Sequence, residues 1–344
     1  MRRLAILFIA LTELCLGQNV DTASSVKIVA FGDVNLGRTV GQRLLKGDID
    51  YPFEKMKDYL SAADVVFVNL ESQLSEQDGE TEDPTSNSIF CAPPVAAASL
   101  RRARIGVVST ANNHAFDYGF KGLKETISLL RSEGIQYAGT SADSTAVFPH
   151  VIIQERGIRI GLAAFTQFVN VKAPWEGYIS LFDSQKAKIE IEDLKKKTDF
   201  VLASYHGGKE YIDVPDEKAR ADMRSLIDAG ADIVLGHHPH VPLGIEEYNS
   251  RFIFHSLGNF VFYQSPYWSR RSFGAELHIE KLAGETKVTA IRLIPVRVGY
   301  QVSQDLSRDE VAKLIQRVKS LSNVQIETKG NMYFVQLSSF TSRE

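Results

Sequence analysis

Short apolar runs in this chain stop repeatedly at clusters of polar side chains, and this pattern constrains the fold more than any other feature. Six runs have the length and composition of buried β-strands and are followed by histidine, asparagine or carboxylate side chains. They are Val26 to Phe31, Asp64 to Val68, Ile105 to Thr110, Phe200 to Ser204, Asp232 to Leu235 and Arg251 to Phe254. The pattern predicts strands whose polar ends share one rim.

Amphipathic stretches follow several of these runs and predict helices between the strands. We expect helices at Phe53 to Ala62, Phe120 to Ser132 and Asp216 to Asp228, and a last one at Arg308 to Leu321. Strands that alternate with helices favour parallel βαβ units, and open α/β sheets build their sites beyond the carboxyl ends of the strands. The sequence therefore predicts an α/β fold with a site at the rim.

Three other segments complete the predicted organisation. Phe273 to Ile279 and Lys287 to Val298 have no helix between them and predict antiparallel strands that form a second layer. The acidic stretch from Gln73 to Asn87 contains Pro84 and predicts a loop that borders the site. The net charge of -3 gives no broad attraction to nucleic acid, so we expect no nucleic-acid partner.

The N-terminal segment predicts export. Arg2 and Arg3 precede an apolar run from Leu4 to Leu16, as in a secretory signal. We expect residues 1–17 to be a signal peptide that is cleaved. A retained membrane anchor is the alternative, although the run is short for a membrane span. Glu13 inside the run weakens both interpretations. Both interpretations place the rest of the chain outside the cytoplasm, as a periplasmic, secreted or membrane-anchored protein.

Oxygen ligands for metal ions follow the first two runs. Asp33 comes after Gly32, and Asn35 lies two residues further on, where its amide oxygen can reach the same site. Glu71 closes a fully apolar strand, and a carboxylate buried there needs a cation or hydrogen-bond donors. The ordinary alternatives are a turn or helix cap for Asp33 and surface exposure for Glu71.

Histidines supply the remaining candidate ligands. His206 ends an apolar strand and precedes two glycines, which let a ligand approach the backbone. Pro239 biases His238 towards an extended conformation, so we expect the alternate residues His238 and His240 to point into one cavity. His237 is expected to support its neighbours rather than to bind metal.

This mixture of oxygen and imidazole ligands without thiolates predicts two divalent metal ions, of Mn²⁺, Zn²⁺, Fe or Mg²⁺. Two ions about 3.5 to 4 Å apart clamp the oxygens of a phosphoryl group during in-line attack. Glu71 is the predicted bridge between them. The other predicted ligands are Asp33 and His240 for one ion, and Asn113, His206 and His238 for the second. His114 is predicted to protonate the leaving oxygen, and a structural histidine is the ordinary alternative.

Six motifs occur in order between Val26 and Val261. They are Gly32-Asp33, Asn69-Leu70-Glu71, Asn112-Asn113-His114-Ala115-Phe116-Asp117-Tyr118-Gly119, His206-Gly207-Gly208-Lys209-Glu210-Tyr211, Gly236-His237-His238-Pro239-His240 and Ser256-Leu257-Gly258-Asn259-Phe260. Together they resemble the CapA family of bacterial capsule synthesis proteins, which is associated with poly-γ-glutamate. That family is similar in turn to calcineurin-like metallophosphoesterases. The resemblance implies a four-layer α-β-β-α sandwich with a two-metal centre.

The resemblance also implies a role at the cell envelope. Residues 26–300 are expected to form one CapA-like metallophosphoesterase domain, and residues 301–344 to add a helix and a strand to it. The implied substrate is an anionic polymer or a phosphoester, and the implied partner is a membrane complex for capsule synthesis. Lys209 and Glu210 match the family's His-Gly-x-x-Glu stretch and are expected to line the substrate groove, with Asn259 nearby.

Two functions follow from these observations. The first is a metal-dependent hydrolase that cleaves a phosphoester or an amide-linked polymer during capsule biosynthesis. The second is a non-catalytic component that binds metal and polymer in a cell-envelope assembly. Asn35 bears on this choice, because phosphoesterases normally have a histidine two residues after the first aspartate.

Overall fold

A computed structural model describes residues 24–83, 86, 88–144, 149–172 and 174–337, so the predicted leader at residues 1–17 lies outside the described residues. Among the described residues, no helix has the length and apolar character needed to cross a membrane. The strands are β1 (Ser24–Val34), β2 (Val65–Leu70), β3 (Gln73–Leu74), β4 (Cys91–Ala92), β5 (Val107–Ser109), β6 (Gln136–Ala138), β7 (Val151–Glu155), β8 (Ile158–Thr166), β9 (Phe200–His206), β10 (Ile233–His237), β11 (Ile245–Tyr248), β12 (Arg251–Phe254), β13 (Asn259–Val261), β14 (Arg271–Leu282), β15 (Glu285–Arg297), β16 (Ile326–Lys329) and β17 (Met332–Val335). The α-helices are α1 (Arg38–Leu45), α2 (Lys57–Ser61), α3 (Ala96–Arg102), α4 (Gly119–Ser132), α5 (Ser184–Lys197), α6 (Glu217–Asp228) and α7 (Arg308–Ser320).

Two mixed sheets form the centre of the fold. The nine-stranded sheet has the order β16-β17-β15-β14-β1-β2-β5-β6, and β13 pairs with β1. The six-stranded sheet has the order β11-β12-β10-β9-β8-β7. Their inner faces pack together, because Ile28 and Phe67 of the first sheet share one core with Leu202 and Leu235 of the second.

Helices cover the outer faces of both sheets. Successive residues of a strand point to opposite faces, so Ile28 enters the inner core while Val29 packs outward. The outer cluster of the first sheet takes Leu44 from α1 and Leu100 from α3. On the second sheet, α5 and α6 pack over β9 and β10 in a separate cluster. This order of helix, sheet, sheet and helix is the predicted α-β-β-α sandwich.

The two long antiparallel strands do not form the layer that was predicted for them. β14 pairs with β15, as expected, but it also pairs with β1, where Ala30 lies opposite Ala275. The two strands therefore extend the first sheet, and β7 to β12 form the second layer. The physical reason is that β14 satisfies the backbone hydrogen bonds on the free side of β1. Helix α7 contributes Leu314 and Val318 to the core between the sheets.

Parallel pairing in both sheets brings the polar strand ends to one rim. β1, β2 and β5 run parallel in the first sheet, as do β8, β9 and β10 in the second. Gly32 permits a further close approach, since a Cβ atom at this position would lie 1.7 Å from the carbonyl oxygen of Gly258. The backbone N–H of Asp33 donates to that same carbonyl at 3.0 Å. The start of β13, which carries Asn259, is thereby fixed beside the end of β1.

Candidate metal centre

Glu71, which directly follows β2, lies at the centre of the rim. Its side chain is 0% exposed, which excludes surface exposure as the explanation for this carboxylate. Its Oε1 atom is 3.7 Å from Nε2 of His240, and the Nε2 atoms of His206 and His114 are each 3.9 Å away. Neither carboxylate oxygen has a hydrogen-bond partner among the described residues. Burial raises the pKa of Glu71 well above its ordinary value.

Asp33, near the end of β1, is the second buried carboxylate of the centre. Its Oδ1 atom accepts a hydrogen bond from Nδ2 of Asn69 at 2.8 Å. Its Oδ2 atom lies 3.2 Å from Nδ1 of His240, and Nδ1 of His237 is 3.4 Å from Oδ1. Burial opposes ionisation, but His237 and His240 hold the pKa of Asp33 well below its ordinary value. Asp33 is therefore an anion, and His237 supports it from beneath the rim.

His240 is oriented by contacts on one side of its ring. Its Nδ1 atom lies 2.9 Å from Oδ1 of Asn259 and close to Asp33, which leaves Nε2 directed at Glu71. Contacts of this kind fix the tautomer of a metal-binding histidine. Burial alone lowers the pKa of His240, but the carboxylates of Glu71 and Asp33 raise it to about 9. Asn259 thus acts on His240 rather than lining the cleft directly.

His206 and Asn113 join the centre from the two different sheets. Nε2 of His206, at the end of β9, lies 2.7 Å from Oδ1 of Asn113, which follows β5. Nδ1 of His206 is 3.2 Å from Nδ2 of Asn69. Burial and the neighbouring His238 lower the pKa of His206 well below its ordinary value, so the ring is neutral. A neutral imidazole and an amide oxygen this close can bind the same ion.

His238 completes the set of histidines. Its ring centroid lies 5.0 Å from that of His206, and its buried Nδ1 atom has no hydrogen-bond partner among the described residues. Burial and the adjacent His240 lower the pKa of His238 to about 3. This imidazole is consequently uncharged, and it has a ring nitrogen that is available to bind a metal ion.

The backbone at these histidines differs from the prediction. His238 has φ of 95° and His240 has φ of 58°, so the extended conformation predicted before Pro239 is wrong. Strand β10 ends at His237, and the chain turns because the N–H of His238 donates to Oδ2 of Asp33 at 3.3 Å. Left-handed backbone is costly for histidine and is found where the surrounding structure enforces it.

Three groups in the described structure bring candidate ligand atoms within 4.8 Å of one another. They are Asp33 with Glu71 and His240, Glu71 with His206 and His238, and Glu210 with His238 and His240. Glu71 belongs to the first two, which gives it the position of a bridge. The third group overlaps the others, and its Glu210 is an exposed residue. The donor set fits divalent cations, since buried carboxylate oxygens and imidazole nitrogens are left unpaired.

Two predicted residues are turned to other partners. Oδ1 of Asn35 accepts a hydrogen bond from the backbone N–H of Gly37 at 2.9 Å, so this oxygen is used in a local turn. Lys209 is exposed, and its Nζ atom lies 3.9 Å from Asp216. Glu210, by contrast, lines the cleft, and its Oε1 atom is 4.0 Å from Nε2 of His240.

His114 has a partner that the sequence analysis did not single out. Oδ2 of Asp117 lies 2.7 Å from Nδ1 of His114, and the ring of Phe90 stacks on the imidazole at 3.8 Å. The Nε2 atom then faces Glu71. The spacing of three residues between His114 and Asp117, in the turn before α4, is the signal that could have identified this pair. Asn69 was also missed as a hydrogen-bond donor to Asp33, although it stands two residues before Glu71.

A cleft of about 1120 Å³ opens over the centre. Its floor includes Asn113, His114, His238 and His240. Ser86 of the loop predicted at Gln73 to Asn87 lines this cleft, as do Ser88, Ile89 and Phe90 just beyond the predicted range. The first two residues of that range form strand β3 rather than loop. Three of the candidate ligands, Asn113, His238 and His240, therefore face this cleft.

Comparison with known proteins identifies the family. Residues 27–264 match the family model of the bacterial capsule synthesis protein PGA_cap. The chain is 32% identical over 247 residues to the capsule biosynthesis protein CapA of Bacillus anthracis, with 70% of this chain and 60% of that protein covered. It is 31% identical over 272 residues to the PGA biosynthesis protein CapA of Bacillus subtilis (strain 168), with 76% of this chain and 70% of that protein covered. The chain thus spans less than two thirds of the Bacillus anthracis relative.

A solved structure supports the fold alone. The calcineurin-like phosphoesterase YfkN from Bacillus subtilis superposes with a TM-score of 0.50 at 16% sequence identity, and covers 87% of this chain and 97% of its own. The matched segment 27–264 contains both buried carboxylates and all the histidines of the centre. The chain belongs to the bacterial capsule synthesis protein family PGA_cap.

Proposed function

We propose that this chain is a CapA-like protein of poly-γ-glutamate capsule biosynthesis whose rim holds two divalent metal ions and hydrolyses its substrate. The observation that carries the proposal is Glu71, a fully buried carboxylate with two unpaired oxygens and three imidazole nitrogens within 4 Å. A buried charge of this kind is costly unless a cation compensates it. Two metal ions next to Glu71 remove that cost.

The ligands divide between the two ions. Asp33 and His240 would hold one ion, Asn113, His206 and His238 would hold the other, and Glu71 would be shared by both. When bound, such a pair supplies Lewis-acid activation of water and of the group to be cleaved. Asn69 and Asn259 hold Asp33 and His240 in place through hydrogen bonds. Asn35 is left out of this ligand set because its amide oxygen is used by Gly37.

Proton transfer is assigned to His114. Asp117 accepts from Nδ1 of His114, which orients the ring and places Nε2 towards the cleft. A histidine held in this way donates a proton to a leaving group, here the amine of an amide-linked polymer or the oxygen of a phosphoester. Glu210 also lines the cleft, beside His240, where its carboxylate faces the incoming chain.

The substrate and location follow from the relatives. The named relatives act in capsule and poly-γ-glutamate biosynthesis, so we propose an anionic polyglutamate as substrate and a location at the cell envelope, in association with a membrane complex for capsule synthesis. Residues 26–300 form the metal-binding domain in this proposal, and the segment from residue 301 packs on it through α7. Residues 1–17 direct export.

A non-catalytic role in the same assembly is the second candidate. The observation in its favour is Asn35, whose local turn leaves the first motif with one metal ligand, Asp33. In that case the centre binds metal and polymer without cleaving it. The two functions predict the same metal content but different reactions.

The test combines metal analysis with two substrates. Purified protein is loaded with Mn²⁺ or Zn²⁺, its metal content is measured, and it is incubated with poly-γ-glutamate and with a chromogenic phosphodiester. For the wild-type protein we expect two ions per chain and shortening of the polymer. In His206→Ala we expect loss of bound metal and loss of polymer cleavage. His278→Ala is the matched control, because His278 pairs with Glu276 away from the rim. Loaded protein that leaves both substrates intact would establish the non-catalytic function.

A further inference from the structure

Arg38, the first residue of α1, presents an unpaired guanidinium to the cleft over the metal centre. Its side chain is half-buried and lines the cleft together with His114 and His240. Among the described residues, no carboxylate oxygen lies within 4.0 Å of its guanidinium, and none of its side-chain nitrogens makes a hydrogen bond within the chain. Arg43, on the same helix, shows the ordinary arrangement, because it pairs with Asp48 on the surface.

Two aromatic rings connect Arg38 to the centre. Its Cζ atom lies 4.7 Å from the ring centroid of Phe90 and 6.0 Å from that of Phe262. Phe90 stacks on His114, and Phe262 packs edge-on against His240 at 5.0 Å. The guanidinium is therefore separated from each of these histidines by one ring. Stacking on an aromatic face leaves the N–H groups in the guanidinium plane free to bind an anion.

The backbone enforces this position. Arg38 has φ of 52°, in the left-handed region that non-glycine residues seldom occupy. Thr81 holds it there from both sides: its carbonyl accepts from the N–H of Arg38 at 2.6 Å, and its hydroxyl donates to the carbonyl of Arg38 at 2.9 Å. Strain of this kind is maintained at binding sites, where the surrounding structure fixes a side chain for contact with a ligand.

The charged residues of the cleft indicate what Arg38 binds. Among the described residues that line the cleft, Arg38 is the one lysine or arginine, while Asp117 and Glu210 are acidic. These carboxylates repel an anionic chain that enters towards the metal ions. An arginine with a free planar fork provides bidentate hydrogen bonds to a carboxylate.

We propose that Arg38 is a specificity-determining residue, which binds a free α-carboxylate of the polymer next to the bond to be cleaved. The inference rests on the proposed function and names the part of the substrate that this site recognises. Metal ions at the rim would supply the Lewis-acid chemistry, while Arg38 selects a chain that carries free carboxylates. Neutral chains of the same length receive no such contact.

The test measures binding of a fluorescently labelled poly-γ-glutamate oligomer by anisotropy. Wild type, Arg38→Gln, Arg38→Lys and the control Arg43→Gln are compared, each with Mn²⁺ and after chelation. We expect Arg38→Gln to raise the Kd about 10- to 100-fold under both conditions, the range for a lost hydrogen bond to a charged group. Arg38→Lys should recover part of the affinity, and Arg43→Gln should stay within about twofold of wild type.

A second ligand separates loss of recognition from loss of structure. The same oligomer with its carboxylates esterified should bind wild type and Arg38→Gln equally. Equal loss of both ligands in Arg38→Gln, or unchanged binding of the acidic oligomer, would overturn the inference. The chelated series does not depend on metal. A wild-type protein that takes up no ions but still needs Arg38 for the acidic oligomer would therefore contradict the proposed metal centre and support the role of Arg38.

Discussion

Two buried glutamates in this molecule lie next to histidines and have opposite environments. Glu246, on β11, receives hydrogen bonds from Nε of Arg224 at 2.7 Å and lies 2.8 Å from Nε2 of His255. Glu71, at the rim, receives none among the described residues. Burial raises the pKa of both, but the hydrogen bonds from His255 and Arg224 bring the pKa of Glu246 below its ordinary value, whereas that of Glu71 stays well above it.

The difference separates a structural cluster from a functional one. The cluster at Glu246 contains its own cation, Arg224, so its charges are balanced within the chain. At the rim, two buried carboxylates meet one imidazole with a raised pKa, His240, beside the neutral rings of His206 and His238. Among the described residues, no arginine or lysine contacts Glu71. Both residues are buried glutamates beside histidines, although Glu71 is the more deeply buried. The absence of an arginine around Glu71 among the described residues supports the proposed metal site.

The largest expected effect comes from Glu71→Gln. It removes the shared ligand, so we expect loss of bound metal and a fall in hydrolytic activity of at least about 10³-fold. Without metal, the free energy of unfolding should stay level or rise, because an uncompensated buried carboxylate has been removed. Metal analysis, rate measurements and urea unfolding test this. Retention of two ions per chain by the variant would contradict the claim that Glu71, unlike Glu246, is a metal ligand.

A smaller effect is expected from Asp117→Asn. This carboxylate is intermediate between the two glutamates in its environment, because only one of its oxygens is hydrogen-bonded within the described part of the chain. Oδ2 of Asp117 has hydrogen-bond partners in His114 and the N–H of Phe90, but its buried Oδ1 has none among the residues that the structure describes. The amide cannot orient His114 equally well, so we expect kcat to fall by about 10- to 100-fold while metal content stays unchanged. Steady-state kinetics provide the measurement. An unaltered kcat would contradict the assignment of proton transfer to His114.

The histidine next to each glutamate has a different pKa, and this difference should appear in the pH dependence of metal binding at the rim. Burial lowers the pKa of His255, whereas the carboxylates around His240 raise its pKa to about 9 despite burial. Below pH 9 a metal ion must therefore displace a proton from His240. We expect affinity to fall about tenfold for each unit of pH decrease and about one proton to be released at pH 7.5. Calorimetry in buffers of different ionisation enthalpy measures that proton, and its absence would contradict the prediction.

The smallest effect is predicted for Glu246→Gln. This change weakens the contacts to Arg224 and His255, and we expect a loss of about 1 to 2 kcal/mol in the free energy of unfolding. The side chain of Arg224 is 41% exposed, so solvent screening keeps the loss below that of a fully buried pair. Urea unfolding gives the value. Metal content and activity should match wild type, and a drop in either would mean that the two clusters are coupled.

Sequence alone predicted the parts of the fold that depend on local pattern. The apolar runs before Asp33, Glu71 and His206 correspond to β1, β2 and β9, because a buried parallel strand needs continuous apolar side chains. The predicted helix at Phe120 to Ser132 corresponds to α4, and that at Asp216 to Asp228 to α6. The motifs also indicated which strand ends meet, since parallel strands place their carboxyl ends on one side.

Features that depend on tertiary contacts were not accessible from the sequence. Helix α5 is rich in lysine and exposes Ile189, so its periodicity is weak. The pairing of β14 with β1 is decided by the unsatisfied edge of a strand far away in the chain. The turn at His238 depends on a hydrogen bond to Asp33, and the separation of Asn35 from the centre depends on its contact with Gly37.

The wide separation of the ligands along the chain has a consequence for how the protein matures. Asp33 and His238 are 205 positions apart in sequence, and the other candidate ligands come from loops of both sheets. No single stretch of the chain contains the proposed ion site, so metal uptake at that site would be a late event that requires the two sheets to have docked. The rate of metal uptake during refolding thus measures the completion of tertiary structure, and a chelator added early should delay only that last step.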